Sequence, residues 1–241
     1  MLSALQSILL VLVLLMPVTV HAAQKETVVL LHGIGHTKWN MFVTERALRK
    51  QGYETLNITY PSLRSDIKTL AGFLHNRLAM TGIWEEPGQV HFVTHSMGGL
   101  VARHYLHDYR TDILADRLGR VVMMAPPHSG SEVADLLKDF PPYQWIFGPA
   151  GQELTTTAQS QNAPDPYYDL GIIAGTTGWP YILGNITIAG KHDGRVGVER
   201  TKMVGMKDHI ALPATHSFIS WKPDVHKQIV SFLKNGNFNE E

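Results

Sequence analysis

The stretch HFVTHSMGGLVARHYLHDY, residues 91–109, sets an apolar run against Ser96 and two glycines, then continues with the spacing of a helix. A strand that ends at His95 and a helix that begins at Met97 place Ser96 on the corner between them. Two readings fit such a serine. It can cap the new helix through its hydroxyl. Alternatively, it can be held in a strained turn with its hydroxyl exposed, where small neighbours let strand and helix approach closely. The pattern for the second is Gly-x-Ser-x-Gly, and here it reads Thr94-His95-Ser96-Met97-Gly98. Gly98 and Gly99 are in place; Thr94 is bulkier than the expected glycine or alanine.

Working outward, short apolar runs alternate with helix-length amphipathic stretches. ETVVLLH (residues 26–32), ETLNITY (54–60), QVHFVTH (89–95) and RVVMMAP (120–126) read as strands. Between them, Trp39, Phe42, Val43 and Ala47 fall on helical spacing, with Gly52 as a stop. Residues 65–80 place Ile67, Leu70, Ala71, Leu74 and Leu78 on one helical face. Strands alternating with helices predict an α/β fold with a mostly parallel central sheet flanked by helices. In such sheets, ligand-binding residues gather past the carboxyl ends of the strands.

Residues 139–183 break this rhythm. They are rich in proline and aromatics, and only LGIIAG (170–175) reads as a strand. A long irregular stretch is predicted, with residues 141–147 either a short cap over an apolar pocket or a loop packed on the core. NITIAG (185–190) and HIALP (209–213) are further strand candidates. Val225, Ile229, Phe232 and Leu233 give a C-terminal helix its inner face.

A serine that attacks an acyl group leaves a negative oxygen, so donors must be waiting for it. His32 and Gly33 end the first strand, and the backbone N–H groups of Ile34 and Met97 are the candidate donors. An acid and a base follow in chain order. Asp193 stands before a glycine in KHDGRVG, and His216 lies on a loop before the last helix. His216 would take the serine proton, and Asp193 would fix its tautomer. His209 is a reserve base and Asp208 a reserve acid. His95, beside the serine, points away on such a corner and is read as supporting structure.

VVLLHGIGHTKWNM, VTHSMGGLVARHYL and APPHSGSEVADLL resemble three consecutive blocks of the α/β-hydrolase family of bacterial lipases and esterases. HDGRVGVERT followed by THSFI is similar to that family's later Asp-Gly-x-Val block and its catalytic histidine. The blocks run from about Val28 to Phe218. The resemblance implies a serine hydrolase of carboxylic esters with Ser96, Asp193 and His216 as its triad and Ile34 and Met97 as oxyanion donors, working without a cofactor. Acyl transfer, or thioester or amide cleavage on the same triad, is the enzymatic alternative. A catalytically silent fold that binds lipid or a protein through its aromatic segment is the other.

The bulk properties fit. At 241 residues and 44% apolar content, the chain can bury one sizeable core, and residues 24–241 are predicted to form one catalytic domain. Lys plus Arg and Asp plus Glu are balanced at 21 each, which leaves no net field for nucleic acid. There is no cysteine, hence no thiol nucleophile and no disulfide. Residues 8–20, ILLVLVLLMPVTV, followed by HAAQ, read as an export signal within residues 1–23 or as an uncleaved N-terminal anchor. Either places the domain outside the cytoplasm, secreted, periplasmic or held at a membrane. His128 and Ser129 are read as part of a turn in which Ser129 or Ser131 caps the next helix. Arg103, His104, His107 and Asp108 are read as the solvated face of the helix after Ser96. No metal-ligand set is evident.

Overall fold

A computed structural model describes residues 26–113, 115–159 and 165–239. The predicted signal or anchor, residues 1–23, lies outside the described residues. The first half of the chain runs β1 (Thr27–Leu31), α1 (Phe42–Lys50), β2 (Glu54–Ile58), α2 (Ile67–Ala79), β3 (Val90–His95) and α3 (Met97–Asp108). Next come β4 (Leu118–Met124), α4 (Glu132–Leu137), α5 (Pro141–Glu153), α6 (Thr156–Gln159) and β5 (Leu170–Gly175). It closes with α7 (Ile182–Thr187), α8 (Val198–Thr201), β6 (Asp208–Leu212) and α9 (Pro223–Asn235).

The six strands form one parallel sheet in the order β2-β1-β3-β4-β5-β6. Both faces of the central strands are covered, which is why β1, β4 and β5 carry runs of consecutive apolar residues rather than an alternation. Val29 and Leu31 of β1 and Phe92 of β3 face the side occupied by α2 and α3, where Leu70, Leu74, Leu100 and Tyr105 are buried. Val28, Leu30 and Val93 face the other side, against Leu48 of α1 and Val225, Ile229, Phe232 and Leu233 of α9.

The chain leaves β1 toward one edge of the sheet and returns to place β3 on the other flank of β1. Right-handed crossovers then put α1 on one face and α2 and α3 on the other. A crevice opens where the direction reverses, past the carboxyl ends of β1 and β3. Gly33, Ile34 and Ser96 occupy that crevice.

Three expectations need correction. NITIAG is not a strand: residues 182–187 form α7, and no added strand separates β5 from β6. Local β propensity yields to docking, because Gly184 is pressed so closely on Gly194 that a Cβ there would meet its carbonyl oxygen. The irregular stretch 139–183 holds α5 and α6 besides β5. Pro141 begins a helix rather than interrupting one: it sits at the first helical position, where its missing N–H costs nothing. Gly148, at φ 58°, then kinks α5 ahead of Pro149. Finally, Met41, Thr44 and Leu48 carry the buried side of the α1 region, while Trp39 and Phe42 are exposed.

Candidate active site

Ser96 is the corner itself. Its backbone stands at φ 53° and ψ −127°, a region that costs a non-glycine residue on the order of 1–3 kcal/mol. The turn is fixed from behind by the Ser96 N–H, which donates to the Met124 carbonyl at 2.8 Å. Ser96 stands at the N-cap position of α3, yet its side chain makes no capping hydrogen bond. The hydroxyl instead lies 2.9 Å from Nε2 of His216.

Glycines make the corner possible. A Cβ on Gly98 would meet the backbone oxygens of His32 and Leu31 at 2.6 and 2.8 Å, so α3 can start against the end of β1 only without a side chain there. A Cβ on Gly99 would lie 3.3 Å from Oγ1 of Thr94, so Gly99 leaves the room that the bulkier Thr94 occupies. We expect Gly98→Ala to push α3 off β1, at a cost of about 1–3 kcal/mol. The expected readout is a lower thermal midpoint together with a lower kcat, because the same shift tilts Ser96.

The other two predicted residues come to the same place. His216 opens a short 3-10 turn, residues 216–221, that follows β6. Its Nδ1 lies 2.7 Å from Oδ2 of Asp193, and its backbone N–H donates to the Asp193 carbonyl at 2.9 Å. Asp193 is fully buried. Its second oxygen, Oδ1, accepts the backbone N–H groups of Arg195 at 2.9 Å and Val196 at 2.8 Å. With both oxygens engaged in this way, the carboxylate is fixed in position. The glycines of this loop have structural reasons. Gly194 takes φ 99° and touches the Tyr181 ring. Gly175, at the end of β5, has no Cβ because the Asp193 side chain lies where one would go.

His95 lies behind Ser96 and His216. It is buried, with Nδ1 2.9 Å from the Asn40 amide and Nε2 2.9 Å from the His216 carbonyl. Burial holds the ring well below the ordinary imidazole range, with the charges of His216, His36 and Arg195 adding to the effect. The Asn40 atom at that contact is Oδ1; a neutral ring that donates from Nε2 to the carbonyl must accept at Nδ1, which requires the Asn40 amide to be turned so that its NH₂ takes that place. His32 braces the neighbouring loop. Its ring stacks on Tyr60 at 4.2 Å, its Nδ1 donates to the Gly33 carbonyl at 2.8 Å, and the Tyr60 N–H donates to its Nε2 at 3.3 Å. Asn40 and Tyr60 escaped the sequence reading: they lie within the stretches VVLLHGIGHTKWNM and ETLNITY, but nothing local marks their contacts and only the fold brings them in.

Among the described residues, the N–H groups of Ile34 and Met97 donate to no protein acceptor. Met97 is the first residue of α3, where an N–H has no partner within the helix. The reserve residues are elsewhere. His209 pairs with Thr201 Oγ1 at 3.0 Å, and Asp208 accepts from the His209 and Phe238 N–H groups. Ser131 caps α4, accepting from Ala134 N–H at 3.4 Å, and donates to the Arg195 carbonyl at 2.6 Å.

Arg103 corrects the reading of α3 as solvated there. It is only 2% exposed and bonds Nδ1 of His128 at 3.0 Å and Oε1 of Gln159 at 2.8 Å. It is one helical turn beyond Gly99, on the face that meets the sheet, so its position and not its charge decided its burial. His107 and Asp108, in the last turn of α3, are exposed.

Burial lowers the pKa of several histidines: His32 to about 4, His36 less, and His95 and His128 well below the ordinary 6.5. Each ring takes up a proton more readily when the chain unfolds. Stability is therefore full above about pH 6.5 and is lost as the pH falls toward the folded-state value. For His32 this amounts to about 3 kcal/mol between pH 6.5 and 4. Unfolding midpoints measured from pH 7 down to 4.5 should fall steeply, and His32→Gln should reduce the proton uptake on unfolding by about one.

A cavity of about 420 Å³ opens beside Ser96 and His216. Its walls are mostly apolar: Val133, Ala134 and Leu137 from α4, Tyr143 and Phe147 from α5, and Ile182 and Leu183 from α7. Tyr143 and Phe147 both line this space and pack on the core. Among the described residues, no group of three or more His, Asp or Glu side chains is arranged to hold a metal ion.

The fold and the corner serine define an α/β hydrolase. The chain belongs to the alpha/beta hydrolase family, whose model matches residues 28–217. It is similar in structure to the mature lipase BlEst2 of Bacillus licheniformis, at 20% identity and a TM-score of 0.67, over 89% of this chain and 93% of that one. Phospholipase PlaB of Legionella pneumophila aligns at 15% identity and a TM-score of 0.61, over 80% of this chain and 53% of that one. The RedJ thioesterase of the prodiginine biosynthetic pathway in Streptomyces coelicolor aligns at 13% and 0.59, over 88% and 86%. At such identities the likeness is one of fold. Comparison with curated proteins finds no match.

Proposed function

We propose that this chain hydrolyses carboxylic esters through an acyl-enzyme on Ser96. One observation carries the reading: the hydroxyl of Ser96, Nε2 of His216 and Oδ2 of Asp193 are joined by contacts of 2.9 and 2.7 Å at the mouth of an apolar cavity. The Asp193 contact holds the proton of His216 on Nδ1 and leaves Nε2 free to accept the proton of Ser96. Ser96 Oγ then bonds to the ester carbonyl carbon as that proton passes to Nε2. The carbonyl oxygen becomes an anion, for which the N–H groups of Ile34 and Met97 serve as donors. One such donor is worth about 2.7–4 kcal/mol in the transition state. As the C–O bond to the alcohol breaks, His216 returns the proton to the leaving oxygen. Water, deprotonated by the same nitrogen, then releases the acid and restores the serine.

The cavity walls suit the acyl chain of a lipid-like ester. Residues 8–20, with the small residues that follow, support export or anchoring, so this chemistry would take place outside the cytoplasm. The test is labelling of the folded protein by a fluorophosphonate, combined with hydrolysis of p-nitrophenyl esters of increasing chain length. Labelling at Ser96 and turnover that rises and then falls with chain length are expected. A folded protein that neither labels nor turns over any ester would refute the reading.

A further inference from the structure

The loop that carries Asp193 also carries a charge that the triad does not use. Among the described residues lining the cavity, Arg195 is the only permanently charged one. Its backbone is fixed, since its N–H donates to Asp193 Oδ1 and its carbonyl accepts from Ser131 Oγ. Its guanidinium lies over the Tyr181 ring, 5.4 Å from the centroid, and forms no ion pair with a described carboxylate. The nearby acids are already engaged. Asp193 holds His216 and two backbone N–H groups. Glu132 pairs with Arg200 at 2.7 Å, and Asp135 accepts from the Thr156 N–H and hydroxyl at 2.9 and 2.7 Å. No acidic side chain lines the cavity among the described residues. Its charge reaches the neighbouring rings: Arg195 adds to the lowering of His36 and His95, as His216 does.

Resting on the esterase reading, we propose that Arg195 is a specificity-determining residue that binds an anionic group of the ester substrate, a phosphate or a carboxylate near the scissile bond. An unpaired guanidinium beside an apolar wall matches a molecule with an apolar chain at one end and a negative group at the other. A guanidinium is also suited to either anion, because both offer two oxygens in the plane of its N–H fork. The acyl chain enters between α4, α5 and α7, while the negative group meets Arg195 at the mouth.

The experiment compares kcat/KM, below micelle-forming concentrations, for the decanoyl esters of glycerol, glycerol 3-phosphate and glycolate. The neutral ester is the reference; the other two present a phosphate and a carboxylate. Wild type is expected to favour at least one anionic ester over the neutral one by roughly ten- to hundredfold, mostly through KM. Arg195→Gln should collapse that ratio toward one and Arg195→Lys should restore part of it. Added salt should lower the wild-type ratio without any substitution. Which anionic ester is favoured identifies the source of the charge. A wild type that hydrolyses all three without preference, a preference that survives Arg195→Gln, or an equal loss on all three esters in that variant would overturn the assignment while leaving the esterase reading intact. Failure to cleave any ester would overturn both.

Discussion

Ser96→Ala is expected to lower kcat on the best p-nitrophenyl ester by roughly 10⁶-fold, with the thermal midpoint little changed. The side chain lost is one hydroxyl, and the strained backbone that presents it is held by the Met124 carbonyl and by the close contact of Gly98 with β1. Neither support depends on Oγ, so the variant should fold. His216→Ala should lose about as much, and the double variant should fall little further, because the two side chains perform one step together. A fluorophosphonate should leave Ser96→Ala unlabelled. Losses that multiplied in the double variant would mean that serine and histidine act separately.

Asp193→Asn should reduce kcat by about 10⁴-fold while leaving the geometry nearly intact. The carboxylate accepts at both ends: Oδ1 from the N–H groups of Arg195 and Val196, Oδ2 from Nδ1 of His216. An asparagine placed there keeps its carbonyl oxygen on the two backbone donors, since its NH₂ would face them with hydrogens. The NH₂ must then point at Nδ1 of His216, which accepts. The imidazole is left with its proton on Nε2, facing Ser96, and it cannot take the serine proton. The expected signature is a large fall in kcat with a modest change in KM, and partial recovery at high pH, where hydroxide can activate the serine directly. Asp193→Ala should lose activity and also stability, since it leaves the Arg195 and Val196 N–H groups buried without an acceptor.

Local chemistry explains which parts of the molecule could be read from the chain. The strands β1, β3, β4 and β5 are buried on both faces over most of their length, so β1, β4 and β5 are written as runs of consecutive apolar residues, while in β3 the buried His91, Thr94 and His95 interrupt the run. The α2 face of Ile67, Leu70, Ala71, Leu74 and Leu78 is buried throughout, as its spacing predicts. Ser96 stands out because only a few residue types fit a strand-to-helix corner this tight. The 185–190 segment misled for the reverse reason. Its β-branched residues suit a strand, but the determining contact is with Gly194, distant in the pairing scheme and silent in sequence. Arg103 misled because a charge normally marks a wet face, whereas here the groups its two terminal nitrogens bond, His128 and Gln159, come from other elements.

By itself, the sequence determined the alternation of strand and helix through β4, the parallel sheet and the residue at its sharpest corner, because these depend on periodicity and on backbone geometry within a few positions. It also supplied an acid and a histidine in a suitable order. Tertiary structure alone decided that these meet, placing Nε2 of His216 2.9 Å from a hydroxyl 120 positions away. It alone made Asn40 and His95 the backing of that histidine, and left Arg195, its guanidinium over the Tyr181 ring, among the residues lining an apolar cavity. The physical reason is that hydrogen bonds and charge pairs act over a few ångströms in space, and distance along a chain carries no record of which side chains folding will bring within that reach.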